Sequence, residues 1–506
     1  MLFGTDGIRG EVVDSPHSDE EAVSQLLDQR MISPRLMRLV GEALSRIIKL
    51  GSSVVIGWDD RPKNSELVAA LTVGLHLGGC KVIHAGVCAT PGLHNSIFET
   101  KSSLGCMITA SHNPVSDSGI KVFDSDGFKT YPALESEISE LVVQLAAEER
   151  EVDANELNEL ELPDSDFDGD LAHQNLLVNR LEEFCKVFAH PGVGSILIDS
   201  SKGVASGWLS QFMREIGIDA EEVSLDAPAM NENCGAGELS PTDSWTWEDA
   251  AKENHLLIRS LKQRPPGQII AAALDGDGDR CLLIESTENG CKVVDGDEMA
   301  DHILRSIDGE WHLAASIESD LALASSLNRL DAKVNFSQTA VGDRWLSHAL
   351  RNSGFNVLGV EDSGHLVMSA PHPNGERGLV GDGVASMLAV LCAMSCTSRT
   401  PKFSRGYKRR VSIAPSQRIR WDGRNQLSDK VENVAAKYLG RMTRKGLVGE
   451  ANLMLLENDN ISIGVRNSGT QAKTNVSLRV APGIDHSVAS KAVEEICATL
   501  REELLD

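Results

Sequence analysis

The sequence predicts an α/β protein: three α/β domains with mixed, mainly parallel sheets, followed by a C-terminal α+β domain. Three observations carry this. Short aliphatic and β-branched runs alternate with helical stripes up to residue 402. From Phe403 the order changes to consecutive strands with helices between and after them. The chain holds 44 glycines and only 4% aromatics, which suits tight strand-to-helix turns better than a β-sandwich. A length of 506 residues also exceeds what one core serves, and we expect domains at 1–165, 166–294, 295–402 and 403–506.

In the first segment Ser33-Pro34 reads as a cap and first turn. Leu36, Leu39, Val40, Ala43, Leu44 and Ile47 then form an apolar stripe at helical spacing, ended by Gly51. A strand at Val54–Ile56, a helix from Ser65 to Gly78-Gly79 and strands at Lys81–Ala85 and Gly105–Ala110 follow. Between Tyr131 and Asp170 stand 14 acidic residues and one basic one, read as a solvated helix running into a linker at Leu162–Asp170. The pattern restarts at Ser195 with a strand, a helix around Trp208–Ile216 and the strand Ile269–Leu274. It restarts again near Gly296, with a helix at Asp297–Ile307, a strand at Trp311–Ile317 and helices beginning near Asp320 and Asp343. The last segment reads as a strand, a helix (Leu427–Met442), strands at Leu453–Leu456, Ile461–Val465 and Asn475–Val480, and a terminal helix.

The formal charge of −26 argues against nucleic acid or an anionic membrane as partner, because the long-range field repels both. No run of 18 apolar residues exists and MLFGTDGIRG lacks a basic-then-apolar leader, so a cytoplasmic location is expected. Ten cysteines without a CxxC read as packing thiols, Cys392 and Cys396 included. The charge is uneven: residues 403–506 carry 17 basic against 12 acidic side chains, the rest 31 against 62.

Four loops hold the residues suited to chemistry. Asp275-Gly276-Asp277-Gly278-Asp279-Arg280 follows a strand, and its glycines let three mutually repelling carboxylates converge, which favours a hard cation. A calcium loop of the EF-hand kind fails, since its sixth position holds Arg280 and its twelfth Ser286. Ser111 ends an apolar strand in Thr109-Ala110-Ser111-His112-Asn113-Pro114, where a hydroxyl is placed as nucleophile or phosphate carrier; an ordinary polar turn is the plainer alternative. Arg466-Asn467-Ser468-Gly469-Thr470 offers a guanidinium, hydroxyls and an opened backbone to a phosphate monoester, or is a hairpin turn. Glu361-Asp362-Ser363-Gly364-His365 suits vicinal sugar hydroxyls. Gly4–Gly10 matches neither a dinucleotide nor a P-loop fingerprint.

Taken together, in this order and over nearly the full length, the four loops resemble those of the α-D-phosphohexomutase superfamily: TASHNP with a downstream Gly119-Ile120-Lys121, DGDGDR, the GExSGH sugar loop and the RxSGT phosphate loop. FGTDGIRG (Phe3–Gly10), GIKVFDSDGFK (Gly119–Lys129), NENCG (Asn231–Gly235) and VGDRW (Val341–Trp345) resemble the branch acting on glucosamine phosphates. The resemblance implies four domains around a central cleft and an interconversion of glucosamine 6-phosphate and glucosamine 1-phosphate. Phosphoserine at Ser111 would donate to the sugar, giving a bound hexose 1,6-bisphosphate. It implies Mg²⁺ on Asp275, Asp277, Asp279 and Ser111, and Lys121 as acid/base with His112 and Arg9 steadying the phosphoryl group. Arg280, Glu361, Ser363 and His365 would bind the sugar, and Arg466, Ser468, Gly469 and Thr470 the distal phosphate. The partner is then a small sugar phosphate, and a homodimer is the compatible assembly.

Two departures stand out. Asp362 takes the place of a usual Gln, with Val360 before the Glu in place of Gly. The phosphate loop continues Gln471-Ala472-Lys473 where the family has GTEP and a later Arg, so Lys473 or Arg479 supplies the missing cation. A mutase for mannose or glucose phosphates is the alternative reading, and a non-catalytic sugar-phosphate binder the more distant one.

Overall fold

The computed structural model describes all residues except 1, 5, 149–159, 193, 355, 373, 374, 376, 397, 399, 469–471 and 506. The chain forms two compact units, Met1–Gly296 with Ser363–Cys396, and Asp297–Asp362 with Thr397–Asp506.

In the first unit, the helix Pro34–Ile47 begins where the cap was expected, with the Ser33 side chain accepting from the Leu36 amide at 3.4 Å. Leu36, Leu39, Val40 and Leu44 are fully buried on its inner face. Burial of each contributes about 1.5–3 kcal/mol relative to exposure. They pack over a seven-stranded sheet in the order Met31–Ile32, Ile8–Val12, Asp117–Asp124, Leu104–Ile108, Ser53–Trp58, Lys81–Val87, Ser165–Asp166. Asp117–Asp124 runs antiparallel to both neighbours, and the other pairings are parallel.

The acidic stretch differs from the sequence reading. The helix Pro132–Ala146 buries Ile138, Val142 and Leu145. Leu162–Asp170 is more than a linker: Ser165–Asp166 adds a short edge strand, with the Asp164 and Phe167 amides donating to the Val82 and His84 carbonyls. Those turn formers masked the strand because backbone groups, not side chains, make the pairing.

A second, six-stranded sheet carries Ser195–Asp199 parallel to Ile269–Leu274, after which Ile269–Leu274, Cys281–Ser286 and Gly290–Val294 form an antiparallel meander. The antiparallel pair Leu366–Pro371 and Arg377–Gly381 and the apolar helix Gly383–Met394 complete this unit. All ten cysteines are free thiols, and Cys396 lies in the turn after that helix, its sulfur over the Cys392 carbonyl at 3.7 Å.

In the second unit, Lys333–Thr339, Glu310–Ser316 and Val357–Val360 pair in parallel. The C-terminal sheet is antiparallel throughout, in the order Tyr407–Ile413, Thr474–Val480, Ile461–Asn467, Glu450–Glu457, Thr443–Leu447. Its apolar face covers Gln426–Leu439 and Ser487–Leu504. The strand Thr443–Leu447 was not foreseen: its sequence TRKGL has no apolar alternation, since it is an exposed edge. No helix among the described residues is long and apolar enough to cross a membrane.

Candidate active site

Three strands of the first sheet deliver the serine region. Leu104–Ile108, wholly buried, ends just before Ser111, while antiparallel pairing sets Lys121 opposite Met107 and Arg9 opposite Gly119. Gly119 has to be glycine, because a Cβ there would lie 2.0 Å from the Ile8 carbonyl oxygen. Ser111 itself adopts φ +52°, a left-handed conformation that costs a non-glycine residue about 1–2 kcal/mol. The surroundings hold it there. The Ser111 amide donates to Thr109 Oγ1 at 2.8 Å, and its carbonyl accepts from Arg61 Nη2 and Asn231 Nδ2, both at 2.8 Å. The same two donors reach the Asn113 carbonyl at 3.1 and 3.0 Å. Arg61 is in turn fixed by Asp59, which also accepts from Thr109 Oγ1 at 2.6 Å.

The side chain of Ser111 faces charge on both sides. Its Oγ accepts from Arg9 Nη2 at 3.0 Å and lies 3.3 Å from Asp277 Oδ2. Asp277 sits in the loop joining Ile269–Leu274 to Cys281–Ser286, and Gly276 lets that loop press against the serine turn: a Cβ there would stand 2.9 Å from the Ser111 carbonyl oxygen. Oxygens of Asp275, Asp277 and Asp279 all lie within 4.8 Å of one another, and all three residues are buried. Asp275 Oδ2 and Asp277 Oδ1 are buried without a hydrogen bond, so the loop has oxygen donors to spare for a cation.

In this structure the positive charge comes from Lys121, whose Nζ donates to Asp277 Oδ2 at 2.6 Å and Asp279 Oδ2 at 2.7 Å. Burial opposes the charge on Lys121, but Asp277, Asp279 and Asp6 outweigh it and hold the ammonium well above its ordinary pKa. Asp275 moves the other way: burial, then repulsion from Asp279 and Asp277, pushes its carboxyl well above the usual range. Asp279 lies well below, since Lys121 and His365 overcome its burial. His365 Nε2 is 3.1 Å from Asp279 Oδ1, so this residue braces the aspartate loop. Arg280 Nε is 3.3 Å from Asp275 Oδ2. His112 is held neutral, chiefly by Arg280 and then by burial and Arg9, and its Nδ1 is buried without a hydrogen bond among the described residues.

The first unit therefore brings together Ser111, Lys121, Arg9, His112, the three aspartates, Arg280 and His365; Ser363 is half-buried in the same unit. In the second unit Glu361 Oε1 accepts from the Gly342 amide at 2.7 Å. Arg466 and Ser468 lie at the end of the strand Ile461–Asn467, while Gly469 and Thr470 fall outside the described residues. Arg479, one of two cations expected to supplement the phosphate loop, is otherwise engaged: it is buried and donates to the Ser319 carbonyl, Ser462 Oγ and Glu457. It shares the sheet face of Arg466 but stands opposite Ser462, four residues along that strand, so distance rather than parity separates it from the loop. Sequence reasoning missed Asp59, Arg61 and Thr90, the last donating to Asp277 Oδ2 at 2.6 Å. Asp59-Asp60-Arg61 directly after an apolar strand was the available signal, because α/β sheets place ligand-binding groups at that end.

Fold and site define an α/β enzyme of the sugar-phosphate mutase class. Residues 1–149 match phosphoglucomutase/phosphomannomutase α/β/α domain I, and residues 295–409 match domain III of the same family. A phosphoglucosamine mutase of a Jannaschia species is 30% identical over 404 residues, covering 79% of this chain and 80% of that one. That of Lactobacillus gasseri is 28% identical over 519 residues, 99% of this chain and 98% of its own. A phosphoglucomutase/phosphomannomutase family protein from Burkholderia thailandensis superposes with a TM-score of 0.66 at 18% identity, covering 99% of this chain and 97% of that one. The chain belongs to the phosphoglucomutase/phosphomannomutase family, within the α-D-phosphohexomutase superfamily.

Proposed function

We propose that this chain interconverts glucosamine 6-phosphate and glucosamine 1-phosphate through a phosphoserine enzyme and a bound hexose 1,6-bisphosphate. The observation that carries the reading is buried Ser111, its backbone held left-handed and its Oγ set between Arg9 on one side and Asp277 on the other. The relatives named phosphoglucosamine mutase support the choice of hexose. The oxygen-only donor set with spare buried atoms fits a hard cation such as Mg²⁺, held by Asp275, Asp277, Asp279 and a phosphoserine oxygen; when bound it supplies positive charge against the transferring group. The N-acetylphosphoglucosamine mutase of Aspergillus fumigatus, solved in complex with GlcNAc-6P and magnesium, shares the fold at a TM-score of 0.54 and 16% identity, over 92% of this chain and 99% of its own.

In the first half-reaction the Oγ–P bond of phosphoserine 111 breaks as a new O–P bond forms at the free sugar hydroxyl. The hydroxyl proton passes to Lys121 Nζ. Lys121 can accept it only once parted from Asp277 and Asp279, which otherwise keep it protonated. Arg9 and neutral His112 hold the phosphoryl oxygens. In the second half-reaction Lys121 returns a proton to the other sugar oxygen as that phosphoryl group moves to Ser111 Oγ. Glu361 and Ser363 grip the sugar, with His365 and Arg280 steadying the loop beneath it. Arg466, Ser468, Gly469 and Thr470 hold the phosphate that does not react, so one grip serves both orientations. The four domains expected from sequence, a cytoplasmic setting and a homodimer complete the proposal.

A coupled assay with glucosamine, glucose and mannose phosphates tests the reading. Highest kcat/KM on glucosamine phosphates is expected; equal or better turnover of mannose 1-phosphate reassigns the hexose. Ser111→Ala should abolish turnover in a folded protein, and full activity in that variant refutes the phosphocarrier.

A further inference from the structure

The C-terminal sheet has two unlike faces. One carries Ile413, Val476, Leu478, Ile463 and Val465 onto the helices. Register and alternation put Lys408, Arg410 and Ser412 on the other face, opposite Arg479, Ser477 and Asn475, with Ser462, Gly464 and Arg466 beyond. Arg410 and Arg466 therefore stand on the same face with Thr474–Val480 between their strands, and both reach one carboxylate. Arg410 Nη2 lies 2.8 Å from Glu318 Oε2, and Arg466 Nη2 lies 3.4 Å from Glu318 Oε1.

The hydrogen bonding around that carboxylate is unfinished. Arg466 Nε is buried with no hydrogen bond among the described residues. Glu450 Oε1, 3.7 Å from Arg466 Nη1, is too far for one. Asp362 stands 3.4 Å from Arg410 but is closer to Lys408, at 2.8 Å. Lys473 has no ion pair or hydrogen bond to its ammonium among the described residues, and burial together with Arg466 and Arg410 holds its pKa below the ordinary lysine value. Arg410 and Arg466 thus share the one Glu318 carboxylate, with Asp362 and Glu450 as the further acids and Lys473 near enough to feel both guanidiniums. A phosphate monoester offers three acceptor oxygens and close to two charges.

We propose that Arg410 and Lys473, together with Arg466, form the subsite for the substrate's non-reacting phosphate, and that the Glu318 carboxylate occupies this subsite until phosphate displaces it. The inference rests on reading the Arg466 loop as the phosphate grip. Arg410 comes from a strand more than fifty residues earlier in the chain and so lies outside any loop motif. It takes the part that the altered loop sequence leaves open.

Inorganic phosphate titrated by calorimetry into the full chain is the test, because it requires no turnover. Arg410→Gln should weaken phosphate binding roughly tenfold or more and Lys473→Gln by roughly threefold or more, while Glu318→Gln should tighten it. In turnover, Arg410→Gln should raise KM by a similar factor and leave kcat within about threefold, because the group it holds does not react. Arg410→Lys keeps charge and ion pair and should retain part of the binding even if Arg410→Gln folds poorly. Phosphate affinity within twofold of the parent in both Gln variants overturns the proposal, as does weaker binding in a normally folded Glu318→Gln variant, which makes Glu318 a fixed brace. A chain that binds phosphate through Arg410 yet converts no sugar phosphate refutes the proposed function and keeps this subsite; unchanged KM in Arg410→Gln with normal parental turnover does the reverse.

Discussion

Asn231 offers a direct measure of how far the bend at Ser111 serves turnover. Its Nδ2 donates to the Ser111 carbonyl at 2.8 Å and the Asn113 carbonyl at 3.0 Å, and it sits at φ +59°. Asn231→Gly removes both bonds while leaving a residue at ease with that backbone angle. Neither carbonyl is orphaned, since Arg61 bonds both. Asn231 Oδ1 also accepts from Ser201 Oγ, so three net hydrogen bonds go, about 3 kcal/mol in all, of which the two on the serine turn account for about 2 kcal/mol. That matches the strain of about 1–2 kcal/mol stored in Ser111, so the bent serine loses its margin over relaxed conformers. Steady-state kinetics on glucosamine 1-phosphate should show kcat down roughly 10–30-fold with KM within about threefold. Thermal unfolding would be followed in parallel. A kcat within twofold of the parent in a variant that melts earlier would refute the reasoning, because the bonds would then serve stability alone.

Gly276→Ala places a Cβ 2.8 Å from Met230 Sδ and 2.9 Å from the Ser111 carbonyl oxygen, so kcat should fall more than about tenfold, with a stability cost of about 1–3 kcal/mol read by denaturant unfolding. Asp277→Asn removes a proposed cation ligand and a Lys121 partner; turnover should drop by about two orders of magnitude, and chelation of divalent ions should silence the parent until Mg²⁺ is restored. His372, stacked on Phe98, has its pKa lowered from 6.5 to about 4, first by burial and then by Arg180 and Arg377. The unfolded chain then takes up the proton first on acidification, so this contribution is complete above pH 6.5 and is lost as pH falls towards 4, by up to about 3 kcal/mol. Urea unfolding at a series of pH values should show that acid slope, and His372→Phe should make it shallower.

Much of the site was legible because its chemistry sits in contiguous loops. DGDGDR states three carboxylates with hinge glycines, and TASHNP follows an apolar run. Helix Pro34–Ile47 was legible for the same local reason, since cap and stripe lie within one stretch. Other parts were not. Arg61 and Asn231 reach the Ser111 carbonyl from 50 and 120 residues away, and backbone carbonyls leave no mark in a side-chain pattern. The edge strand Ser165–Asp166 was hidden for that reason too.

The sequence by itself determined the family and the order of its loops, because those depend on residue type and local spacing. Only the tertiary structure decided which charges meet. It set Lys121 between Asp277 and Asp279, assigned His365 to Asp279, tied Arg479 to the Ser319 carbonyl and brought Arg410 beside Arg466. Register across a sheet fixes the strand-borne partners, Lys121, Arg410, Arg466 and Arg479, and a shift of one residue would send those side chains to the opposite face.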